Sequence, residues 1–388
     1  MNTRFQRTLA LFVIFLATGP VCHSTPESTT PQPEWLFATA PREFSFPEDH
    51  HAHQGFRTEW WYFTGNLEIV EGPRVGENVG FQFTLFRQGV RRPGEQAKDS
   101  RWLVDAFGFG HAALSLPSEM RFLYDQVMER GALGGLDFPS FQESDQDPDT
   151  TALLARVASW EVERIGLHNF AVRADFDGHG MDLELRAQFG PIFHGDAGFS
   201  RKGPGHGNAS FYYTLPRLDT EGTITLDGSP HIVRGTAWLD REWGSNQLAS
   251  NQKGWDWFAL QFDDGRNLMV YQIRLDDGDI EPLSHGTLRL TDGTTRPLVA
   301  SQYSLTPLDH WTSPETGGRY PIRWRLDIPS EQIHIVIEAT QEAQELALQP
   351  ISYYEGSIRF SDESGNTTGR GYMELTGYAE PIRALSDD

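Results

Sequence analysis

The 388-residue sequence has a single cysteine, Cys22, and it lies in the N-terminal segment. One cysteine cannot form an internal disulfide, so stability must come from a core, which a chain of this length can bury. The longest apolar run, residues 9–17, is too short to span a bilayer. Basic residues are also scarce, and the formal net charge is -22. This acidic balance argues against nucleic acid and anionic membrane surfaces as partners.

Several catalytic motifs are absent as well. The sequence has no G-x-S-x-G elbow, no H-E-x-x-H pair and no phosphate-binding P-loop. A serine hydrolase or metallohydrolase is therefore disfavoured, and no cofactor is predicted.

The segment "DHHAHQGFRTEW" is the best candidate for a metal site. His51 and His53 would share one face of an extended segment, and Glu59 follows closely. No third strong ligand is placed by the local pattern. A histidine that is exposed or bonded to the backbone is the favoured alternative, so no metal is predicted.

The N-terminal residues have the pattern of a targeting segment. Two arginines precede the apolar run, and small residues follow it, which predicts a signal peptide over residues 1–24. Residues 25–34 then form a polar tether. The expected location is secreted or periplasmic. Lipoprotein anchoring at Cys22 is the alternative, but Pro20 and Val21 fit that signal poorly.

Most of the remaining chain alternates between apolar and polar residues and is interrupted by Gly, Asp and Pro. This pattern predicts an all-β fold of antiparallel barrels or sandwiches with few short helices. Only residues 118–130 and 151–158 have apolar residues at helical spacing, so these two segments are predicted to be helical.

An internal repeat predicts two related domains. The segment "EWWYFTGNL" and the strand after it resemble "GWDWFALQF" and its following strand. The repeat aligns Trp60 with Trp255, Tyr62 with Trp257, Phe63 with Phe258 and Leu67 with Phe262. The predicted domains are residues 35–226 and 227–388, with the boundary within residues 219–230.

Among the polar residues, those of the segment "GTAWLDREWG" are the strongest candidates for a catalytic group. Alternation would point Trp238 and Asp240 the same way, with Glu242 and Trp243 close by. Burial beside tryptophan would raise a carboxyl pKa and keep the acid protonated near neutral pH. Such an acid could protonate an alkene. The alternative is that both carboxylates are simply paired with Arg241, Arg234 or a turn amide.

The aromatic residues of "EWWYF" divide between two faces. Trp60 and Tyr62 share one face of a strand, and Trp61 and Phe63 share the other. One face is expected to be structural, and the other is a candidate cavity wall or domain interface with Glu59 at its mouth. The candidate ligand-binding residues are Glu59, Trp60, Trp61, Tyr62, Trp238, Trp243, Trp255 and Trp257.

Eight segments together resemble a known family. They are "HQGFRTEWWYFTGNL", "GFQFTLFR", "HGDAGFSRKG", "ASFYYTLPRL", "GTAWLDREWG", "GWDWFALQFDDGRNLMVYQIR", "YYEGSIRF" and "GYMELTGY". In this order they are similar to the AttH-like secreted proteins, which are grouped with hydroxyneurosporene synthase, the carotenoid 1,2-hydratase. The resemblance covers residues 53–378 and implies two lipocalin-like β-barrel domains packed together.

The resemblance implies two alternative functions. The signal peptide, the aromatic β hairpins and the missing nucleophile favour a protein that binds a bulky apolar ligand, a lipid or an isoprenoid. Because secreted members of the family accompany ABC transporters, an ABC exporter is a candidate partner. The carotenoid hydratases instead add water to an isoprenoid double bond by protonation, without a cofactor, and relatives catalyse cyclisation. By the resemblance, Asp240 would be the acid and Glu242 would assist it.

Overall fold

The computed structural model describes residues 34–92, 104–131, 134–349 and 351–382. The predicted signal peptide, Cys22 and nearly all of the predicted tether lie outside these ranges. The described part of the chain is built almost entirely from antiparallel strands in two sheets.

The first sheet contains thirteen strands, and its main order is β4-β3-β2-β1-β13-β12-β9-β8-β7-β6-β5. Strands β10 and β11 pair with β12 beside this path. The strands are β1 (Thr58–Ile69), β2 (Asn78–Gly89), β3 (Ala106–Leu116), β4 (Arg121–Glu129), β5 (Leu136–Asp137), β6 (Ala152–Val157), β7 (Trp160–Gly166), β8 (Asn169–Phe176), β9 (His179–Ala187), β10 (Ile192–Phe193), β11 (Phe199–Arg201), β12 (Ala209–Leu226) and β13 (Ser229–Gly244).

The second sheet contains ten strands in the order β17-β16-β15-β14-β23-β22-β20-β19-β18, with β21 paired to β22. These strands are β14 (Gln252–Phe262), β15 (Asn267–Leu275), β16 (His285–Arg289), β17 (Thr295–Val299), β18 (Ser304–Thr312), β19 (Arg319–Ile328), β20 (Ile333–Ala339), β21 (Glu345–Leu346), β22 (Tyr353–Ser361) and β23 (Thr368–Leu375). Both sheets are curled and nearly closed, which confirms the predicted pair of lipocalin-like barrels.

Helix within the described ranges is limited to short 3-10 turns at Glu48–His50, Glu143–Asp145, Ala300–Gln302 and Pro329–Glu331. None of the helices in this part of the chain is long and apolar enough to cross a membrane.

The two predicted helical segments are strands, and that prediction was wrong. Residues 121–129 form β4, which pairs with β3. Leu123 and Val127 pack on the core of the first sheet, whereas Phe122 and Tyr124 pack against residues of the second sheet. Because β4 has apolar residues on both faces, its pattern imitates helical spacing. Residues 152–157 are β6, and Leu154, Ala155 and Val157 belong to the same core.

The position where the chain changes sheets also differs from the prediction. The predicted boundary, residues 219–230, contains the turn between β12 and β13, and both strands belong to the first sheet. The chain passes to the second sheet after Gly244 and begins β14 at Gln252. β13 stays in the first sheet because every residue of β1, from Thr58 to Ile69, pairs with it.

The repeat places corresponding strands in corresponding positions. β1 lies between β2 and β13, and β14 lies between β15 and β23, so the first strand of each sheet pairs with the last. Phe63 and Leu67 lie in the core of the first sheet, while their repeat partners Phe258 and Phe262 lie in the core of the second. A third cluster, between the sheets, contains Tyr62 and Trp257 with Trp60 and Trp255 packed against it.

A buried ion cluster connects β1 to both of its neighbours. The Glu59 carboxylate accepts hydrogen bonds from Arg87 on β2 and from Arg241 on β13, the latter at 2.6 Å. Arg241 also lies over the ring of Trp61 at 3.8 Å. Burial raises the pKa of Glu59, but the two arginines outweigh it and hold that pKa well below its usual value.

Replacement of Glu59 by glutamine should destabilise the fold strongly. The substitution leaves Arg87 and Arg241 buried without their counter-charge, which typically costs about 3–5 kcal/mol. Urea unfolding at neutral pH measures the change in the free energy of unfolding. The control is Glu119→Gln at a surface ion pair with Arg74, where less than about 1 kcal/mol is expected. Equal losses in the two variants would contradict the role given to the buried cluster.

Candidate active site between the two sheets

A cavity of about 500 Å³ lies between the two sheets rather than inside either barrel. Its wall is mainly apolar and includes many aromatic rings, and ligand pockets in proteins have this size and character. The aromatic lining residues include Trp60, Tyr62, Tyr212, Trp255, Trp257 and Tyr353.

The register of β1 against β13 brings the main residues of the first sheet together. Trp60 lies opposite Glu242, and Tyr62 lies opposite Asp240. On the other side of β13, Tyr212 of β12 lies opposite Glu242. Because alternate residues of a strand share a face, all five side chains point to the cavity.

Asp240 is only 4 % exposed and accepts three side-chain hydrogen bonds. The Trp238 indole N–H donates to Oδ1 at 2.7 Å, and the hydroxyl of Thr214 donates to the same oxygen. The Tyr212 hydroxyl donates to Oδ2 and itself accepts from the indole of Trp257 at 3.1 Å. The carboxyl group is therefore held in one orientation.

Burial raises the pKa of Asp240 to about 7. The hydrogen bonds from Thr214, Tyr212 and Trp238 favour the charged form and limit this rise, while the nearby Glu242 adds to it. A carboxyl group that titrates near neutral pH can give up and regain a proton readily, as a general acid requires.

Glu242 is held by a different set of partners. Its Oε1 lies 3.0 Å from the Lys202 ammonium and also accepts from the Ser210 hydroxyl. Lys202 in turn lies over the rings of Tyr212 and Tyr271, at 4.9 and 4.5 Å. Burial lowers the pKa of Lys202, but Glu242 and Tyr271 outweigh it and raise that pKa, so the group stays an ammonium ion.

The second sheet contributes two more carboxyl groups, Glu355 on β22 and Glu374 on β23, at directly opposed positions. The Tyr62 hydroxyl donates to Glu355 Oε2 at 2.9 Å. Burial and the neighbouring Glu374 hold the pKa of Glu355 well above its usual range. Burial, and then the charge of Asp240, raise the pKa of Glu374 to about 8.

The repeat relates the acids of the two sheets. Asp240 lies opposite Tyr62, and Glu374 lies opposite Trp257. Since Tyr62 and Trp257 correspond in the repeat, Asp240 and Glu374 occupy corresponding positions on the last strand of each sheet. The cavity is thus bounded by two related strand pairs, each with an acid beside an aromatic residue.

The predicted site residues divide between the faces of the strands. Asp240, Glu242, Trp60, Tyr62, Trp255 and Trp257 line the cavity. Trp238 supports Asp240 through its indole N–H.

Glu59, Trp61 and Trp243 lie away from the cavity, so the placement of Glu59 at its mouth was wrong. Glu59 is fully buried in the ion cluster, and Trp61 is in the core of the first sheet. Trp243 stacks on His53 at 3.7 Å. Their odd-numbered positions on β1 and β13 turn them to the opposite face.

Sequence reasoning missed four functional candidates: Lys202, Tyr212, Glu355 and Glu374. A signal existed for the two glutamates, because alternation in "YYEGSIRF" and "GYMELTGY" puts Tyr353 with Glu355 and Tyr372 with Glu374. No local pattern pointed to Lys202, whose partner Glu242 is distant in sequence. Within the described residues, no group of three metal-ligating side chains is placed to hold a metal ion.

Comparison with known proteins identifies the family. The family model described as AttH-like matches residues 37–378, which is most of the chain. The chain belongs to the AttH-like family. The crystal structure of a putative AttH from Nitrosomonas europaea is 34% identical, with a TM-score of 0.75, over 87% of this chain and 99% of that one.

Two further similar proteins are named for the addition or removal of water. A protein named dehydratase asqC, from Emericella nidulans, is 25% identical over 204 residues, which are 50% of this AttH-like chain. The match spans only 56% of that relative's length. The crystal structure of kievitone hydratase from Nectria haematococca has the same fold, with a TM-score of 0.62 at 18% identity, over 90% of this chain and 97% of that one.

Infrared spectroscopy should detect the proton on Asp240. Because burial raises the pKa of Asp240, the carbonyl band of its protonated carboxyl should decrease as the pH rises, with a midpoint near pH 7. This component should be missing from Asp240→Asn. In Tyr212→Phe the midpoint should move to higher pH, because a hydrogen bond to the charged form is lost. If the Asn variant titrates like the unchanged protein, the assignment to Asp240 is wrong.

Proposed function

We propose that this AttH-like protein is a cofactor-independent hydro-lyase that adds water to, or removes water from, an apolar substrate. The observation that carries the proposal is Asp240. It is a buried acid with a pKa near 7, it is held by three donors, and it lines an aromatic cavity.

Acid catalysis needs no further cofactor. In the hydration direction, the Asp240 carboxyl transfers its proton to one carbon of a double bond, and the other carbon becomes a cation. Water bonds to that carbon, and the Asp240 carboxylate accepts the proton that the bound water releases. The acid is thereby restored, and dehydration follows the same steps in reverse.

The wall of the cavity suits a cationic intermediate. Trp60, Tyr62, Trp255 and Trp257 present aromatic rings, whose faces attract positive charge. Tyr212 and Trp238 hold Asp240 in place through their hydrogen bonds. Glu242 lies nearby, held by its ion pair with Lys202.

The relatives support a reaction of this type. One is named a dehydratase, and another protein of the same fold is named a hydratase. The first covers half of this chain, and the second is related through fold alone, so the reaction and the substrate are our proposal. By the family resemblance, an isoprenoid double bond is the first candidate substrate.

A protein that binds an apolar ligand without reaction is the second candidate. The size and aromatic lining of the cavity favour it, since a lipid or an isoprenoid would bury apolar surface there. Both candidates need the cavity, but only the hydro-lyase needs the proton on Asp240.

Substitution of Asp240 separates the two functions. The unchanged protein, incubated with acyclic carotenoids and with tertiary terpene alcohols in H₂¹⁸O, should incorporate ¹⁸O or lose water, as mass spectrometry would record. Asp240→Asn should lower this rate by a factor of about 100 to 10,000, because the proton donor is removed. The control, Glu345→Gln, changes a buried carboxyl that hydroxyl groups bind elsewhere in the second sheet, and it should keep the rate. Ligand binding without turnover in the unchanged protein would favour the second candidate.

We also propose export to the periplasm, with an ABC exporter as a candidate partner. Support comes only from the sequence of residues 1–24 and the family resemblance. Expression of the full chain in a Gram-negative host should yield periplasmic protein whose N-terminus is residue 25. Retention of residues 1–24 on cytoplasmic protein would contradict the proposal.

A further inference from the structure

The oxygen Oε1 of Glu355 has an unused hydrogen-bonding capacity. The side chain is fully buried, yet this atom has no partner in the described structure, whereas Oε2 accepts from Tyr62. A buried polar atom without a partner costs free energy of folding, so an occupant of the cavity is a candidate partner. Glu355 itself lines that cavity.

The neighbour of this atom is a second carboxyl group. Glu355 and Glu374 are directly opposed on adjacent strands, where side chains stand about 5 Å apart. Two charges at this separation repel each other, so the pair retains a proton. Among the described residues, no lysine, arginine or histidine forms an ion pair with either group.

His111 and Lys202, which also line the cavity, do not supply a counter-charge to the pair. Burial lowers the pKa of His111 to about 3, so this ring is neutral, and it is bonded to Tyr353. The ammonium of Lys202 is paired with Glu242. The titratable groups that line the same cavity are Arg57, Tyr62, His111, Lys202, Tyr212, Asp240, Glu242, Tyr271 and Tyr353.

A hydroxyl group of a ligand can bond to Glu355 whether Glu355 is protonated or ionised. It accepts a hydrogen bond when Glu355 carries the proton, and it donates one when Glu355 is ionised. A carboxylate can only accept and would add negative charge beside four acids. An ammonium can only donate, so it fits the ionised pair alone.

We propose that the Glu355–Glu374 pair is the binding site for a hydroxyl group of an uncharged, apolar ligand, and that the cavity excludes carboxylates. The inference rests on the proposed function for the cavity, and it narrows the substrate class to apolar alcohols or to alkenes that become them. Binding itself does not require turnover.

Four saturated C12 compounds test the proposal, because none of them has a double bond to hydrate. Dodecan-1-ol, dodecane, dodecanoate and dodecylamine are compared by their displacement of N-phenyl-1-naphthylamine, a neutral fluorescent probe. At pH 8, dodecan-1-ol should bind about tenfold more tightly than dodecane or dodecanoate. As pH rises from 6 to 9, binding of the alcohol should stay level, that of the carboxylate should fall and that of the amine should rise.

Two variants assign the effect to Glu355. Glu355→Met removes the polar atoms, so the preference for dodecan-1-ol over dodecane should disappear. Glu355→Gln keeps a donor and an acceptor but cannot ionise. The preference for dodecan-1-ol over dodecane should therefore survive, and the loss of dodecanoate binding at pH 9 should be smaller than in the unchanged protein. Glu345→Gln, a buried carboxyl outside the cavity lining, should bind like the unchanged protein. Thermal unfolding checks that each variant is folded.

The inference is overturned if dodecanoate binds as tightly as dodecan-1-ol at pH 8, if none of the four compounds displaces the probe, or if folded Glu355→Met keeps the alcohol preference. These outcomes differ from failure of the proposed function. A protein that selects alcohols but leaves every alkene unchanged would keep the inference and lose the hydro-lyase. A protein that hydrates an alkene but binds the four C12 compounds equally well would keep the hydro-lyase and lose the inference.

Discussion

The burial of four carboxyl groups against aromatic rings is the constraint on which the site depends. Asp240, Glu242, Glu355 and Glu374 face one cavity between two sheets. Ionised carboxylates are costly in such surroundings, so a group either binds a cation or keeps its proton. Glu242 has Lys202, while the other three have raised pKa values. Glu242 is thus held in an ion pair, whereas the other three acids are the ones that can keep a proton near neutral pH.

The fold produces this arrangement by using both faces of the same strands. On β1 and β13, one face carries Trp61, Glu59 and Arg241 into a core and a buried ion cluster. The other face carries Tyr62 and Asp240 to the cavity. The ion cluster connects β1, β2 and β13, and it therefore also fixes the register that sets Asp240 opposite Tyr62. The stability of the first sheet and the geometry of the site rest on the same strand pairing.

The repeat explains why the cavity lies between the barrels. Each sheet fills its own interior with one set of residues, such as Phe63 or Phe258. The corresponding residues on the outer faces, Tyr62 and Trp257, then meet edge to face at 5.3 Å. Two copies of one hairpin thus supply both walls. The acids Asp240 and Glu374 lie on the strands that pair with these hairpins.

The sequence by itself determined the fold class, the repeat and the two faces of the first strand, because alternation depends only on the local period of two. It also pointed to Asp240. It misassigned β4, because an edge strand covered on both faces has helix-like spacing. It placed Glu59 at the cavity, because nothing local revealed Arg87 and Arg241 as its partners. The meeting of Asp240 with Lys202, Glu355 and Glu374 was decided only by the tertiary structure, because strand register and the packing of one sheet on the other join residues far apart in the chain.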